Sequence, residues 1–174
     1  EILRHSNISA SDRIVGINPS ATFGPAKQWF PERFAEVSDG LHREFSTRTL
    51  IFGGPKDKEL GRRVQKTMKS EAVDLSGRTT LKQAVALIAE CDLFITNDSG
   101  LMHVAAAVGC RLVAIYGSTT PAYTPPLSDR AEVVRLGLEC SPCFERDCPL
   151  GHFRCMKEIL PAAVLERLTP PAGE

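Results

Sequence analysis

With 174 residues, 43% of them hydrophobic and only 6% aromatic, the chain has enough apolar material for one domain with a substantial core and too much for a disordered segment. Its 21 Lys and Arg balance its 21 Asp and Glu, so no global field draws it to nucleic acid or a membrane surface, and any anion site must be assembled locally. No stretch approaches the ~20 apolar residues that cross a bilayer, and the opening Glu1-Ile2-Leu3-Arg4-His5 lacks the pattern of a signal peptide, which predicts a cytosolic protein.

The first residue is not Met, and residues 1–12, with His5, Ser6, Asn7, Ser9, Ser11 and Asp12, read as a linker leading into a domain, as expected of a piece of a longer protein. Short apolar runs with β-branched residues predict strands at 13–18, 48–53, 92–96, 111–117 and 132–136, and a shorter one at 72–75. Several are apolar on both faces, as central strands of a parallel sheet are. Amphipathic segments predict helices at 31–43, opened by Pro31, then at 56–69, 79–90 and 99–108, the last closed by Gly109. A final helix is expected at 161–168, before a Pro-rich tail at 169–174. Strand and helix thus alternate through a domain at 13–168, interrupted only by an irregular Cys-rich insertion at 140–155. The pattern is that of an α/β fold with a Rossmann-like, doubly wound parallel sheet, in which ligands bind beyond the carboxyl ends of the strands.

The loops after the strands therefore carry the candidate chemistry. Asn18-Pro19-Ser20-Ala21-Thr22 and Gly24-Pro25-Ala26-Lys27 follow the first strand, where small residues and hydroxyls let backbone donors approach an oxygen-rich group and Lys27 offers a point charge suited to phosphate. The plainer alternative is a turn-rich loop with a solvated lysine. After the fourth main strand, Asp98-Ser99-Gly100 opens a helix whose first N–H groups and positive end suit an anion, with His103 one turn in; here the plainer alternative is an ordinary N-cap. Beyond the second strand, Asp57 and Glu59 both qualify as an acid that accepts hydrogen bonds from a ribose, or simply as acids in a helix's first turn. Gly117-Ser118-Thr119-Thr120-Pro121 adds a hydroxyl-rich loop on the same edge. No GxxxxGK[ST] loop, no GxGxxG after a strand and no Asp-x-Asp pair occurs, which takes support from triphosphate hydrolysis and hydride transfer and leaves Lys27 and helix ends to neutralise a leaving group.

Cys140, Cys143, Cys148 and Cys155 are close enough in sequence to hold zinc. Their spacing is not that of a zinc ribbon, His152 intrudes as an alternative ligand, and the plainer reading is free thiols packing an irregular loop, with no metal required. Disulfides are disfavoured in a cytosolic protein. Cys91 and Cys110, beside strands, read as core residues.

Taken in order, Asn18-Pro19-Ser20-Ala21 with Gly24-Pro25-Ala26-Lys27-Gln28-Trp29, then Leu75-Ser76-Gly77-Arg78-Thr79-Thr80-Leu81, then Thr96-Asn97-Asp98-Ser99-Gly100-Leu101-Met102-His103, then Tyr116-Gly117-Ser118-Thr119 resemble the ADP-heptose:lipopolysaccharide heptosyltransferases of glycosyltransferase family 9. The segment Cys140-Ser141-Pro142-Cys143-Phe144-Glu145-Arg146-Asp147-Cys148-Pro149-Leu150-Gly151-His152 is similar to the heptosyltransferase II branch. The resemblance implies the carboxyl-terminal, donor-binding half of a two-domain GT-B glycosyltransferase. It implies that Ser20, Thr22 and Lys27 line a diphosphate, that Asp98, Ser99, Gly100 and His103 surround the donor's phosphate and sugar, that Met102 lies near the base, and, with a looser match, that Asp57 meets the ribose.

The implied reaction is inverting transfer of heptose from ADP-heptose to the inner core of lipopolysaccharide, with Lys27 meeting leaving-group charge and no cofactor required. The general base and the binding of the lipid A–inner core acceptor belong to the missing amino-terminal domain. The whole enzyme is expected in the cytoplasm, at the inner face of the inner membrane and in peripheral contact with it. This chain alone is expected to bind donor or ADP without turnover, and no nucleic-acid partner is expected. Two other readings stand beside it: a zinc-stabilised binding module built on 140–155, and a GT-B enzyme using another nucleotide sugar such as a UDP-sugar.

Overall fold

Six short strands lie side by side in the computed structural model, which describes residues 2–168: β1 (Ile14–Asn18), β2 (Arg48–Ile51), β3 (Ala72–Asp74), β4 (Leu93–Asn97), β5 (Leu112–Ile115) and β6 (Ala131–Val134). They form one parallel sheet in the order β3-β2-β1-β4-β5-β6. All six match predicted strands to within a few residues at each end. The strand order reverses between β1 and β4, where the chain crosses back over the sheet. This is the doubly wound arrangement, and it opens a crevice at the carboxyl ends of those two strands. In register, Asn18 at the end of β1 stands level with Thr96 of β4.

The strands are buried on both faces because side chains alternate along them. Val15, Ile17, Ile95, Val113 and Ile115 face one layer, with Trp29, Phe34 and Met156. Ile14, Leu50, Phe94, Leu112 and Ala114 face the other, with Ile88, Met102 and Tyr116. Gly16 is glycine for a packing reason: a Cβ there would lie 2.5 Å from Phe94 Cδ2 and 3.1 Å from Cys91 Sγ.

The helices are α1 (Ile2–His5), α2 (Pro31–Phe45), α3 (Lys58–Thr67), α4 (Leu81–Ala89), α5 (Gly100–Ala107), α6 (Arg154–Lys157) and α7 (Pro161–Leu165). Local chemistry sets their ends. Pro31 opens α2, and Thr80 opens α4 in a reciprocal capping box with Gln83, whose amide donates to Thr80 Oγ1 at 3.3 Å while Gln83 Oε1 accepts from the Thr80 amide at 2.9 Å. Gly109, at φ 73°, lies just past the end of α5 as expected. The segment expected at 56–69 divides into a 3-10 turn, Pro55–Asp57, and α3.

Two features departed from the alternating pattern. The opening residues, expected as linker, contain the single turn α1, and Ile8 beyond it is buried against the second layer because its side chain extends that core. The insertion at 140–155 is irregular up to Phe153 and then enters α6, whose Met156 is buried. The tail expected at 169–174 lies outside the described residues.

Candidate functional site at the strand crossover

Both strands that flank the crossover end in a buried asparagine, and each side chain ties one loop to the other strand. Asn97 Oδ1 accepts the Trp29 amide at 3.0 Å and its Nδ2 donates to the Pro19 carbonyl at 2.9 Å. Asn18 Nδ2 donates to Ser99 Oγ at 2.8 Å and to Thr96 Oγ1 at 3.2 Å. The loop after β1 is thereby fixed against β4, with every amide atom of Asn97 in use inside the protein.

The same bonds decide what happens at the start of α5. Ser99 holds the N-cap position, yet its side chain makes no capping hydrogen bond, because its hydroxyl is engaged by Asn18 and lies 3.2 Å from Thr96 Oγ1. Asp98 does not cap the helix with its side chain either; it turns toward Lys27. The first-turn amides of α5 are thus left without a side-chain acceptor at the positive end of the helix. Gly100 is exposed, is not among the residues with positive φ, and has nothing within 4 Å of where a Cβ would stand. Neither packing nor backbone conformation calls for glycine here, and the space above the start of α5 is left open.

Lys27 Nζ lies 2.6 Å from Asp98 Oδ2, and the two side chains are only 10% and 4% exposed. The same carboxylate oxygen accepts from Thr119 Oγ1 at 2.6 Å and from Thr124 Oγ1 at 3.1 Å. A buried carboxylate is tolerated on these terms, charge-paired and hydrogen-bonded. Lys27 also stands over the Phe23 ring, 4.8 Å from its centroid, and Arg146 from the Cys-rich insertion packs on the same ring at 5.7 Å. Burial and the nearby Asp98 charge push the Tyr116 phenol up, against the opposing hydrogen bond to Thr124. Its hydroxyl donates to the Thr124 carbonyl at 2.5 Å and lies 3.2 Å from Met102 Sδ.

The insertion is fastened across this site by its backbone. The Ala26 amide donates to the Arg146 carbonyl at 3.0 Å, the Phe144 amide to the Ser118 carbonyl at 2.7 Å, and Ser118 in turn donates to the Ala26 carbonyl at 3.3 Å. A cavity of about 510 Å³ opens between these loops, lined by Phe23, Lys27, Thr119, Tyr123, Thr124 and Phe144.

Of the residues singled out in the sequence, Lys27, Asp98, Ser99 and Gly100 gather at the crossover. Ser20 is buried in the same loop, where its carbonyl accepts from Asn18 and Asn97 Nδ2 at 3.4 Å each. Thr22 is exposed on the outer turn of that loop, and His103 is exposed on α5. Met102 is fully buried, in contact with Tyr116. Asp57 stands apart, beyond β2, as the residue before α3, and its Oδ2 accepts the Gly54 amide at 2.7 Å; Glu59 is exposed, 3.5 Å from Arg62. Asn18, Asn97, Phe23, Thr124, Tyr123, Phe144 and Arg146 were not singled out as site residues. An asparagine closing each of two buried strands was the available signal for the first pair.

The six cysteines are free thiols. Among the described residues no group of three or more His, Cys, Asp and Glu side chains is arranged to hold a metal ion. Burial, with the neighbouring Cys143, Cys140 and Cys148, pushes the Cys155 thiol up, whereas Cys148 is lowered, chiefly by the Phe153 amide that donates to its sulfur at 3.4 Å. Cys91 and Cys110 are core residues as expected, and burial raises both, Cys110 to about 11.

Residues 3–154 match glycosyltransferase family 9 (heptosyltransferase). The chain is 41% identical over 166 residues to lipopolysaccharide heptosyltransferase 2 of Salmonella typhimurium, covering 93% of this chain and 47% of that protein. It is 40% identical over 161 residues to lipooligosaccharide heptosyltransferase 2 of Campylobacter jejuni, covering 90% of this chain and 50% of that protein. Among solved structures, E. coli ADP-heptose lps heptosyltransferase II superposes with a TM-score of 0.83 at 38% identity, over 95% of this chain and 48% of that one. The chain therefore spans about half the length of the relatives it matches.

Proposed function

Because the chain belongs to glycosyltransferase family 9, the heptosyltransferases, we propose that it is the donor-binding, carboxyl-terminal half of a GT-B enzyme that moves heptose from ADP-heptose to the inner core of lipopolysaccharide with inversion. The observation that carries this reading is the buried Lys27 beside the uncapped start of α5, both at the crossover of a nearly neutral chain. A fixed cation and a helix N-terminus converge where a diphosphate would sit.

In this reading Lys27 and the amides of Gly100 and Leu101, which the helix does not use, hold the diphosphate, with Ser20 and Thr22 along its outer side. Asp98 and Ser99 border the phosphate and sugar with His103, Met102 lies toward the base, and Asp57 meets the ribose. The acceptor hydroxyl attacks the anomeric carbon from the face opposite the leaving group. The new carbon–oxygen bond forms as the bond to the β-phosphate oxygen breaks, and that electron pair leaves on ADP. Lys27 and the end of α5 face this developing charge, which is where fixed dipoles accelerate the step most. The proton of the attacking hydroxyl passes to a base in the other half of the enzyme, which also holds the lipid A–inner core acceptor. Asp98 shares Lys27 with the incoming diphosphate and keeps the hydroxyls of Thr119 and Thr124.

No helix among the described residues is long and apolar enough to cross a membrane. The reading places the whole enzyme in the cytoplasm, with peripheral contact at the inner face of the inner membrane where its acceptor is anchored. Calorimetric titration of the chain with ADP, with UDP as control and Lys27→Ala as second sample, tests the assignment. Selective ADP binding, weakened at least tenfold by loss of Lys27 in a variant that still melts cooperatively, is the expected result. Equal affinity for UDP would favour a different nucleotide sugar, and no binding of either nucleotide would contradict the donor-half assignment.

A further inference from the structure

The Cys-rich insertion is bonded through its backbone to the loops that carry Lys27 and Thr119, and it places one residue in an unusual position. Phe144 has φ of 60°, in the left-handed region that bulky residues rarely occupy. It is held there by the hydrogen bond from its amide to the Ser118 carbonyl at 2.7 Å. The conformation does not serve burial, since the ring is 46% exposed. Its neighbour is Tyr123, 76% exposed, with the two rings edge to face at 5.7 Å between centroids. Backbone strain that presents an apolar ring to solvent is a feature of ligand sites rather than of packing.

These exposed rings line the same cavity as Phe23, Thr124 and the buried Lys27 and Thr119. Aromatic walls with a few polar groups at the base suit a pyranose, whose C–H faces stack on rings while its hydroxyls reach donors and acceptors. Position identifies which sugar. If Lys27 holds the diphosphate, the sugar bonded to that diphosphate lies directly beside Lys27, and this cavity is the space beside Lys27. In the donor-site reading, which gives the ribose to Asp57, the adenosine end runs the other way, past the end of β2.

We infer that Tyr123 and Phe144 form a stacking wall for the sugar ring of the donor, and that the Cys-rich insertion serves to carry Phe144 to it. The inference rests on the donor-site reading and adds a sugar subsite to it. ADP and ADP-heptose separate the two, because only the second occupies the cavity. In titrations of the 174-residue chain, Tyr123→Ala and Phe144→Ala should leave ADP affinity unchanged and weaken ADP-heptose by about fivefold to tenfold, the range expected for losing one aromatic contact. Tyr123 is exposed enough that its variant cannot be dismissed as misfolded. ADP-heptose affinity unchanged in both variants, with ADP still bound, would overturn the sugar wall alone. Failure of the unmodified chain to bind ADP would overturn the donor site and the wall with it.

Discussion

Lys27 and Asp98 come from loops on opposite sides of the strand crossover and meet with Nζ 2.6 Å from Oδ2. The pair joins the two loops that a bound anion would have to approach. It also turns the Asp98 side chain toward Lys27 rather than into a cap for the first turn of α5.

Because both members are buried, removing one is costly. Lys27→Met should lower stability by about 3 kcal/mol in denaturant titrations, the low end for a broken buried pair, since Thr119 and Thr124 still donate to Asp98. The double variant Lys27→Met/Asp98→Asn should recover part of that loss, because it leaves no unpaired buried charge. A double variant less stable than the sum of its singles would contradict the pairing.

Phe144 separates strain from side-chain contact. Phe144→Gly and Phe144→Ala both remove the ring, but only glycine relieves the left-handed backbone at φ 60°. The glycine variant should be the more stable of the two by about 1 kcal/mol. Equal stabilities would mean that the residue's conformation relaxes freely.

Asp39 provides a pH test away from the site. Burial pushes its carboxyl up, but this is outweighed by the Ser70 hydroxyl at 2.7 Å and by the amides of Lys69 and Ser70, so the folded-state value lies below the ordinary one. A depressed acid contributes stability that is present above its unfolded value, near 4, and is lost as pH falls through the folded one. Asp39→Asn should therefore destabilise the protein at neutral pH and flatten the acid side of its stability profile. A steeper acid side would reverse the sign of the argument.

The thiols should divide by reactivity. Cys148, partly exposed and lowered chiefly by the Phe153 amide, should be alkylated first, whereas Cys91 and Cys110, buried and raised, should react only on unfolding. Peptide mass spectrometry after brief iodoacetamide treatment reads the order directly. Early labelling of Cys91 would contradict the packing.

The sheet was legible because its strands are short, apolar on both faces and separated by amphipathic helices, so periodicity carries the signal. Their order was implied only by the alternation, since pairing is a long-range property. Single-residue chemistry was readable where it is local: Pro31 opening α2 and Gly109 closing α5 are examples. Lys27, Asp98, Ser99 and Gly100 were readable as candidates because they follow strands.

What sequence could not supply was how side chains choose among partners. Asp98 and Ser99 both read as helix caps, and both turn elsewhere because Lys27 and Asn18, distant in sequence, compete for them. The wall formed by Tyr123 and Phe144 was equally hidden, since it depends on a backbone bond between Phe144 and Ser118. The thiols of 140–155 drew attention for their spacing, whereas the structure draws it to the phenylalanine between them.

The most direct test of the donor site is to follow backbone amide resonances of the isotope-labelled chain during titration with ADP. The account predicts that the largest shifts fall on 20–27 and on Ser99 to His103, the two sides of the crossover, with smaller ones near Asp57. Saturating ADP that leaves those amides unmoved, or that shifts residues on another face of the sheet, would contradict it.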